Sequence, residues 1–269
     1  MNKFKTIIAS VLAVTSVASS VGIMANAEET DAVSISCEAL TSAVTANDGT
    51  IIPAGSVAVE VSINNNTGFK ASSLTFVMSS AEALTNSNDV PVVDTGTVLG
   101  DSLVAAAKND GKLVVSYSSA DTLTSDGEMF TFYISAQSNV TFAETAAPTH
   151  TNRIQSRGYT KYWVIGDVDG DLDIEVEDCT AVQEAVAKAG GRMVHVNDVD
   201  ANLTYFFPNS PMPFAKCVDG NDDKRIMDSS VTASKSDAYQ ILNYYSLTAA
   251  GLPYEVAGWH IGEELEYED

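Results

Sequence analysis

The chain has 269 residues and a formal net charge of −22, with 36 acidic residues against 14 lysine and arginine residues. This length is enough for one large domain or two small ones. So acidic a surface repels nucleic acid and anionic lipid, so we expect neither as a partner.

The first 27 residues have the pattern of a secretory signal peptide. Lys3 and Lys5 give a positive start, an apolar run covers 6–24, and A-N-A at 25–27 is a small-x-small cleavage site. A membrane anchor is the alternative, but serine and threonine residues dilute the run. Cleavage would remove two lysines and no acid, so the net charge would fall from −22 to −24. We therefore expect a secreted, extracellular protein without membrane insertion.

Residues 28–145 carry the pattern of a β-rich module. Apolar residues at every second position of the segment 57–64 are typical of a half-buried strand: Val57, Val59, Val61 and Ile63. Turn signals separate further strand-like runs at 33–37, 74–78, 90–94, 112–118, 130–136 and 140–142. Many short strands at this spacing predict an antiparallel β-sandwich with its own core.

Residues 146–165 have the character of a linker, because Pro148, Asn152, Ser156 and Gly158 interrupt any periodicity. Aromatic residues near its end are expected to pack on a neighbouring module, with a sugar-stacking platform as the alternative: Tyr159, Tyr162 and Trp163. After this segment the pattern changes to loop and helix. Residues 249–269 are predicted to form an acidic C-terminal tail.

Residues 167–178 read D-V-D-G-D-L-D-I-E-V-E-D and have the ligand spacing of an EF-hand calcium loop. Five aspartates in so short a segment repel one another unless a hard cation lies among them. A helix with an apolar face at 182, 185, 186 and 189 follows. A solvated acidic turn is the alternative interpretation. The predicted metal ligands are Asp167, Asp169, Asp171, Asp173, Glu175 and Asp178.

A second loop of this kind begins about fifty residues later. Position 12 would fall on Ser230, a poor calcium ligand, so we infer a seven-residue insertion that lets Asp237 supply the last carboxylate. A helix with an apolar face at 238, 241, 242 and 245 follows. The alternative is a degenerate, empty loop. The predicted ligands are Asp219, Asn221, Asp223, the backbone carbonyl of Arg225, and Asp237.

The motifs G-D-V-D-G-D at 166–171 and S-D-A-Y-Q-I-L at 236–242, each in a loop–helix unit, resemble a cellulosomal dockerin of type I over residues 166–248. The resemblance implies a small all-α module, two calcium ions in pseudo-symmetric EF-hand-like loops, and docking to a cohesin module of a scaffold protein. Loop position 6 is Leu172 or Lys224 instead of glycine, which predicts weaker calcium affinity. Positions 10 and 11, which help to read the partner in that family, correspond to Val176, Glu177, Lys235 and Ser236.

The β-rich module also has a family resemblance. The run A-G-S-V-A-V-E-V-S-I at 54–63, followed by N-T-G-F at 66–69, resembles the early strands of a cohesin. The run S-D-G-E-M-F-T-F at 125–132 resembles the late strand of that jelly-roll sandwich. This resemblance implies a cohesin-like module that could receive another dockerin-bearing protein.

Together these features predict a secreted, non-catalytic adaptor, similar to a small scaffoldin, in a cellulosome-like multi-enzyme complex at a cell surface that degrades polysaccharide. The alternative is a carbohydrate-binding module carried by a dockerin. The β-rich module has no tryptophan to stack on sugars, and its tyrosines are Tyr117 and Tyr133. No enzyme is expected, because no carboxylate pair or nucleophile motif is evident.

The three cysteines are Cys37, Cys179 and Cys217, and their spacing matches no zinc or redox motif. A disulfide between Cys179 and Cys217 is compatible with an exported protein. Three buried thiols are the alternative.

Overall fold

The computed structural model describes residues 23–24, 32–136, 138–143, 161–168, 173–188, 194–195, 232–233, 235–256 and 261–267. The strands are β1 (Ile23–Met24), β2 (Ala32–Ala39), β3 (Val44–Thr45), β4 (Ile51–Ile52), β5 (Val57–Asn64), β6 (Phe69–Met78), β7 (Val93–Thr95), β8 (Leu103–Asn109), β9 (Lys112–Leu123), β10 (Gly127–Ile134), β11 (Val140–Ala143), β12 (Lys161–Val164), β13 (Val194–His195), β14 (Thr232–Ala233) and β15 (Glu264–Tyr267). The helices are α1 (Val176–Lys188) and α2 (Lys235–Ala249). Within these stretches, no helix has the length and hydrophobicity needed to span a membrane.

Two antiparallel sheets form the N-terminal part of the structure. One has five strands in the order β1-β2-β5-β10-β7, and the other has four in the order β11-β6-β9-β8. Every described neighbouring pair in these sheets is antiparallel. The prediction of a mainly β module with antiparallel sheets is confirmed. β1 lies within the predicted signal peptide and pairs with Ser34 and Ile35 of β2.

The main hydrophobic core lies between the two sheets. On β5 the predicted alternation is present, because residues 57, 59, 61 and 63 are buried and the residues between them are not. From the facing sheet, Phe76 contributes a completely buried ring. Its centroid lies 4.9 Å from that of Phe132 and 5.1 Å from that of Phe142, and Phe130 meets it edge-on. These aromatic contacts join both sheets into one sandwich.

The outer face of the five-stranded sheet is polar where it is open to solvent. Glu60 and Asn64 on β5 are exposed there. A hairpin formed by β3 and β4 covers another part of this sheet, where a small apolar cluster contains Ile52 and Tyr133. The Tyr133 hydroxyl donates a 2.7 Å hydrogen bond to Asp94. Local elements therefore cover part of this face, and the rest is open to solvent.

The central strand β9 of the four-stranded sheet is buried on both faces. Six consecutive residues of β9, from 113 to 118, are buried, because the odd-numbered ones enter the sandwich core and the even-numbered ones face the helices. β8 was not predicted from the sequence. Its A-A-A run has low intrinsic strand propensity, and it is a strand because β9 pairs along its whole length and α2 covers it.

A two-stranded ribbon joins distant parts of the chain outside the sandwich. β12, in the segment predicted as a linker, pairs with β15, in the segment predicted as an acidic tail. Ile165 extends this pairing, since its N–H donates to Glu263 and its carbonyl accepts from Gly262. β13 and β14, which lie between the two helices in the sequence, form a second short ribbon.

Candidate docking site

The outer side of the four-stranded sheet presents a grid of small side chains. Directly opposed residues of antiparallel strands point to the same side, so the register of β6, β9 and β8 defines three rows. Apart from Leu103 and Val114, the members are alanine, serine or threonine. We call this set the docking face: Ala71, Ser73, Thr75, Leu103, Ala105, Ala107, Val114, Ser116 and Ser118. Small side chains allow helices to approach the sheet closely.

The two helices, which we call the helix pair, cover this face. α1 packs on β9 and β6, and α2 packs on β8 and β9. One apolar cluster contains Ala105, Ala107 and Val114 from the docking face together with Val182 and Ile241 from the helix pair. The sandwich and the helix pair therefore share a hydrophobic core, whose burial stabilises their contact.

A chain of hydrogen bonds crosses the contact between the docking face and α1. Gln183 Nε2 donates to Ser118 Oγ at 2.7 Å, and Ser118 Oγ lies 2.7 Å from Thr180 Oγ1. Thr180 Oγ1 in turn donates to the carbonyl of Val176 at 3.2 Å. Ser118 must then donate to Thr180, so each hydroxyl proton has an acceptor. Because these groups are buried, the hydrogen bonds between them favour one register of α1 on the sheet.

The carboxyl end of α2 is held by the tip of the β8–β9 hairpin. Lys112 Nζ donates to the carbonyl of Ala249 at 2.8 Å, and Asn109 Nδ2 donates to that of Ala250 at 3.1 Å. A cation at the last turn complements the helix dipole and satisfies a carbonyl that the helix leaves free. At the rim, Lys70 pairs with Glu184, but both side chains are about one-third exposed, so this pair contributes little.

Cys179 lies at the centre of this contact and is a free, completely buried thiol. Its sulfur accepts a 3.6 Å hydrogen bond from Gln183 Nε2. Burial raises the pKa of Cys179 from 9.0 to about 12, against smaller opposing effects of Ser118 and Gln183. Cys37 is half-buried and also free, and burial raises its pKa. Cys217, the other half of the suggested disulfide, lies outside the described residues.

We expect alkaline pH to destabilise the contact through Cys179. The folded chain favours the neutral thiol. The stability that this thiol contributes is therefore complete below pH 9 and is lost as the pH rises towards 12. At about pH 10.5 the loss is about 2 kcal/mol, from 1.36 kcal/mol per pKa unit. Guanidinium unfolding near pH 8 and at this higher pH measures it. The Cys179→Ala chain should show a smaller decline, and an equal decline in both chains would contradict the assignment.

The described residues of the first predicted calcium loop bring its two ends together. Asp167 and Asp178 are 3% and 1% exposed. Asp178 accepts the N–H of Val168 on Oδ1 at 2.6 Å and that of Glu175 on Oδ2 at 2.8 Å. Gly166, with φ of +100°, lies where the chain enters the loop. Glycine suits this position, because a Cβ there would lie 2.9 Å from Ile261 Cγ2. The start of the loop is thus joined to its end by the hydrogen bond between Val168 and Asp178.

Carboxylate oxygens are the ligands that a calcium ion prefers. Each of these two buried carboxylates needs compensation by hydrogen bonds or a cation. Asp178 accepts one backbone N–H on each of its two oxygens. Asp173 and Glu175 are half-buried, while Asp169 and Asp171 lie outside the described residues. Within the described stretches alone, no three His, Cys, Asp or Glu residues are grouped as a metal site.

The two helices repeat one pattern. Asp178 is the third residue of α1 and Asp237 is the third residue of α2, and both are buried. Five of the buried positions that follow have the same spacing from that aspartate in both helices: 179, 182, 183, 185 and 186 in α1, and 238, 241, 242, 244 and 245 in α2. Four predicted ligands of the second loop lie outside the described residues: Asp219, Asn221, Asp223 and Arg225.

The four predicted partner-reading residues differ in exposure. Val176 is 5% exposed within the apolar cluster of the helix pair, and Glu177 is half-buried. Lys235 and Ser236, at the start of α2, are exposed. The docking face was not predicted from the sequence. The consecutive apolar residues at 113–115 of β9 are the signal that could have indicated it, because a strand open to water on one face alternates.

Fold and site together define a β-sandwich protein with a helix pair docked on one sheet. No protein-family model matches the chain, and no curated protein matches it. Two cohesins of known structure resemble part of it. The non-cellulosomal cohesin from the hyperthermophilic archaeon Archaeoglobus fulgidus is 17% identical, with a TM-score of 0.24, over 32% of this chain and 64% of that one.

The second is a type III cohesin module from the cellulosomal ScaE cell-surface anchoring scaffoldin of Ruminococcus flavefaciens. It is 18% identical, with a TM-score of 0.31, over 42% of this chain and 66% of that one. The chain thus spans slightly less than two thirds of either cohesin.

Proposed function

We propose that this chain is a secreted, non-catalytic protein-interaction protein, an adaptor of a cellulosome-like complex. The observation that carries the proposal is the seating of the helix pair on the docking face of the sandwich. The docking face accepts α1 and α2 through small side chains, a buried chain of hydrogen bonds and a capped helix end. The sequence resemblance of the two parts to a cohesin and a dockerin supports the same interpretation.

We further propose that two calcium ions order the loops that precede α1 and α2. In the first loop, the closed ends and buried carboxylates support this role. In the second, the support is the equivalent placement of Asp178 and Asp237. Calcium would neutralise the carboxylates and fix the direction of each helix. Its contribution would be structural and would belong to the folding free energy.

The proposed partner is a cohesin module of a scaffold protein, bound outside the cell. Lys235 and Ser236 are accessible to it in the described structure, whereas Val176 contributes to the core. The sandwich is proposed to receive another dockerin-bearing protein. Carbohydrate binding by the sandwich is less favoured, because Tyr117 is completely buried and Tyr133 is 7% exposed and bonded to Asp94, so neither offers a stacking surface.

Removal of calcium is expected to disorder the helix pair and to abolish cohesin binding. Isothermal titration of the full-length chain with Ca²⁺, after chelation, should show saturable heat, and helical circular dichroism should recover on addition. Immobilised cohesin modules should retain the chain with calcium and release it with chelator. Magnesium is the matched control, since it prefers a smaller octahedral site. Calcium-independent retention, or the absence of heat, would contradict the proposal.

A further inference from the structure

We propose that the C-terminal segment, residues 261–267, sets the calcium affinity of the first loop, with Ile261 and Gly262 as positioning residues. Neither side chain carries an oxygen ligand, so both act by placing other residues. They hold the start of the loop, where Asp167 is the first predicted ligand, against the helix pair. The inference rests on the proposed calcium binding and identifies a distant part of the chain that controls it.

Backbone hydrogen bonds fix the residue that leads into the loop. The Ile165 N–H donates to the carbonyl of Glu263 at 2.9 Å, and the Gly262 N–H donates to the carbonyl of Ile165 at 2.8 Å. These bonds continue the pairing of β12 with β15. Asp167 follows Ile165 by two residues, which span at most about 7 Å. A displacement of the C-terminal segment would therefore move the first ligand with it.

The side chain of Ile261 provides the apolar support for this start. It is buried and shares one hydrophobic cluster with Ile165, Val168 and Ile174. A Cβ on Gly166 would lie 2.9 Å from Ile261 Cγ2 and 3.4 Å from Ile174 Cδ1, so both side chains border the glycine. Val168 is the second residue of the loop and Ile174 is the eighth. One isoleucine from the C-terminal segment thus belongs to the apolar cluster that carries the loop.

Gly262 places the same segment against α2. Its φ is +85°, and a Cβ there would lie 2.8 Å from Tyr244 Cε2. Tyr244 is buried, and the ring of Tyr254 meets it edge-on with 5.3 Å between the centroids, so the Tyr244 ring has little room to move. Any side chain at position 262 would displace either this ring or the segment. Glycine therefore holds the C-terminal segment at one spacing from α2.

The charges of the two segments link this arrangement to calcium. Residues 167–178 contain seven acidic residues, and residues 263–269 contain five. The hydrogen bonds of Ile165 place these two acidic segments side by side. Like charges oppose that arrangement, and a divalent cation in the loop would offset them. Calcium binding and the pairing of the C-terminal segment should therefore strengthen each other by the same factor.

Ile261→Ala in the full-length chain tests the positioning role. Calcium affinity, measured by calorimetric titration, should fall at least about tenfold, within the usual range of coupling between sites. Ile261→Val keeps Cγ2 and should restore most of the affinity. The matched control is Ile63→Ala, which removes an equally buried isoleucine from the sandwich core. Native affinity in Ile261→Ala, or an equal fall in Ile63→Ala, would overturn the inference.

Gly262→Ala tests the contact with Tyr244. Its matched control is Gly49→Ala, because Gly49 has φ of +86° and an added Cβ there meets no atom of the described residues within 4 Å. The two substitutions share the backbone strain, and only Gly262→Ala adds the clash. Gly262→Ala should weaken calcium binding at least about fivefold, while Gly49→Ala should leave it unchanged. Equal calcium affinities in these two variants would contradict the role of Gly262.

Hydrogen exchange of the native chain gives a readout without any substitution. The amides of Ile165 and Gly262 should exchange at least about tenfold more slowly with calcium than with chelator, while those of β5 keep the same rate. Calcium heat without this change in exchange would overturn the inference and leave the proposed function intact. The absence of calcium heat in the native chain would overturn the proposed function and this inference together.

Discussion

Asp178→Ala is expected to abolish calcium binding by the first loop and to destabilise the helix pair. The carboxylate accepts two backbone hydrogen bonds, from Val168 and Glu175, at 1% exposure. Hydrogen bonds to a charged group contribute about 1.5–3 kcal/mol each, so the free energy of unfolding should fall by roughly 3 kcal/mol or more. Removal of Asp167 as well should eliminate partner binding, because both ends of the loop would then lose their ligand. Calcium titration and denaturant unfolding measure the two effects.

The matched control is Asp121→Ala, which removes an exposed carboxylate from the end of β9. It should leave calcium affinity unchanged and should alter stability by less than about 0.5 kcal/mol, as is usual for surface substitutions. A chain with both Asp167 and Asp178 replaced by alanine that still bound cohesin with native affinity would refute the role of this loop in docking.

Phe76→Ala is expected to destabilise the sandwich by about 3–5 kcal/mol, the range for a buried phenylalanine replaced by alanine. Its ring is completely buried and contacts Phe130, Phe132 and Phe142. Because a domain of this kind is stable by only about 5–15 kcal/mol, the change should markedly lower the midpoint of denaturant unfolding. The neighbouring Val77 is 41% exposed, so Val77→Ala should have little effect. Equal losses in both variants would show that the core lies elsewhere.

Strands are predicted best where one periodicity dominates the sequence. On β5, apolar and polar residues alternate because one face meets the core and the other meets water, so pattern and structure agree. On β8, the alanines have no such signature, since their burial depends on α2, which lies more than one hundred residues away. Tertiary contact of this kind overrides local propensity and is not visible in a window of sequence.

The candidate docking site also combines parts that the sequence predicts with parts that it does not. The spacing of the acidic residues at 167–178 predicts a calcium loop, and the structure joins Val168, near its start, to Asp178 at its end. The docking face was not predicted because its alanine and serine residues form no apolar alternation of their own. Only the register of β6, β9 and β8 places them side by side. Likewise, the sequence showed an apolar Val176 but not its participation in the core of the helix pair.

The ribbon of β12 and β15 has a consequence for biosynthesis. Its partners, such as Lys161 and Tyr267, are about one hundred residues apart, and both helices lie between them. The sheets between β2 and β11 are complete in sequence before β12 is made, so they can assemble while translation continues. The ribbon closes only after β15 has left the ribosome, and contacts of such sequence separation form slowly. Until the helix pair has also been made, the nascent sandwich displays an uncovered docking face to chaperones and neighbouring polypeptides.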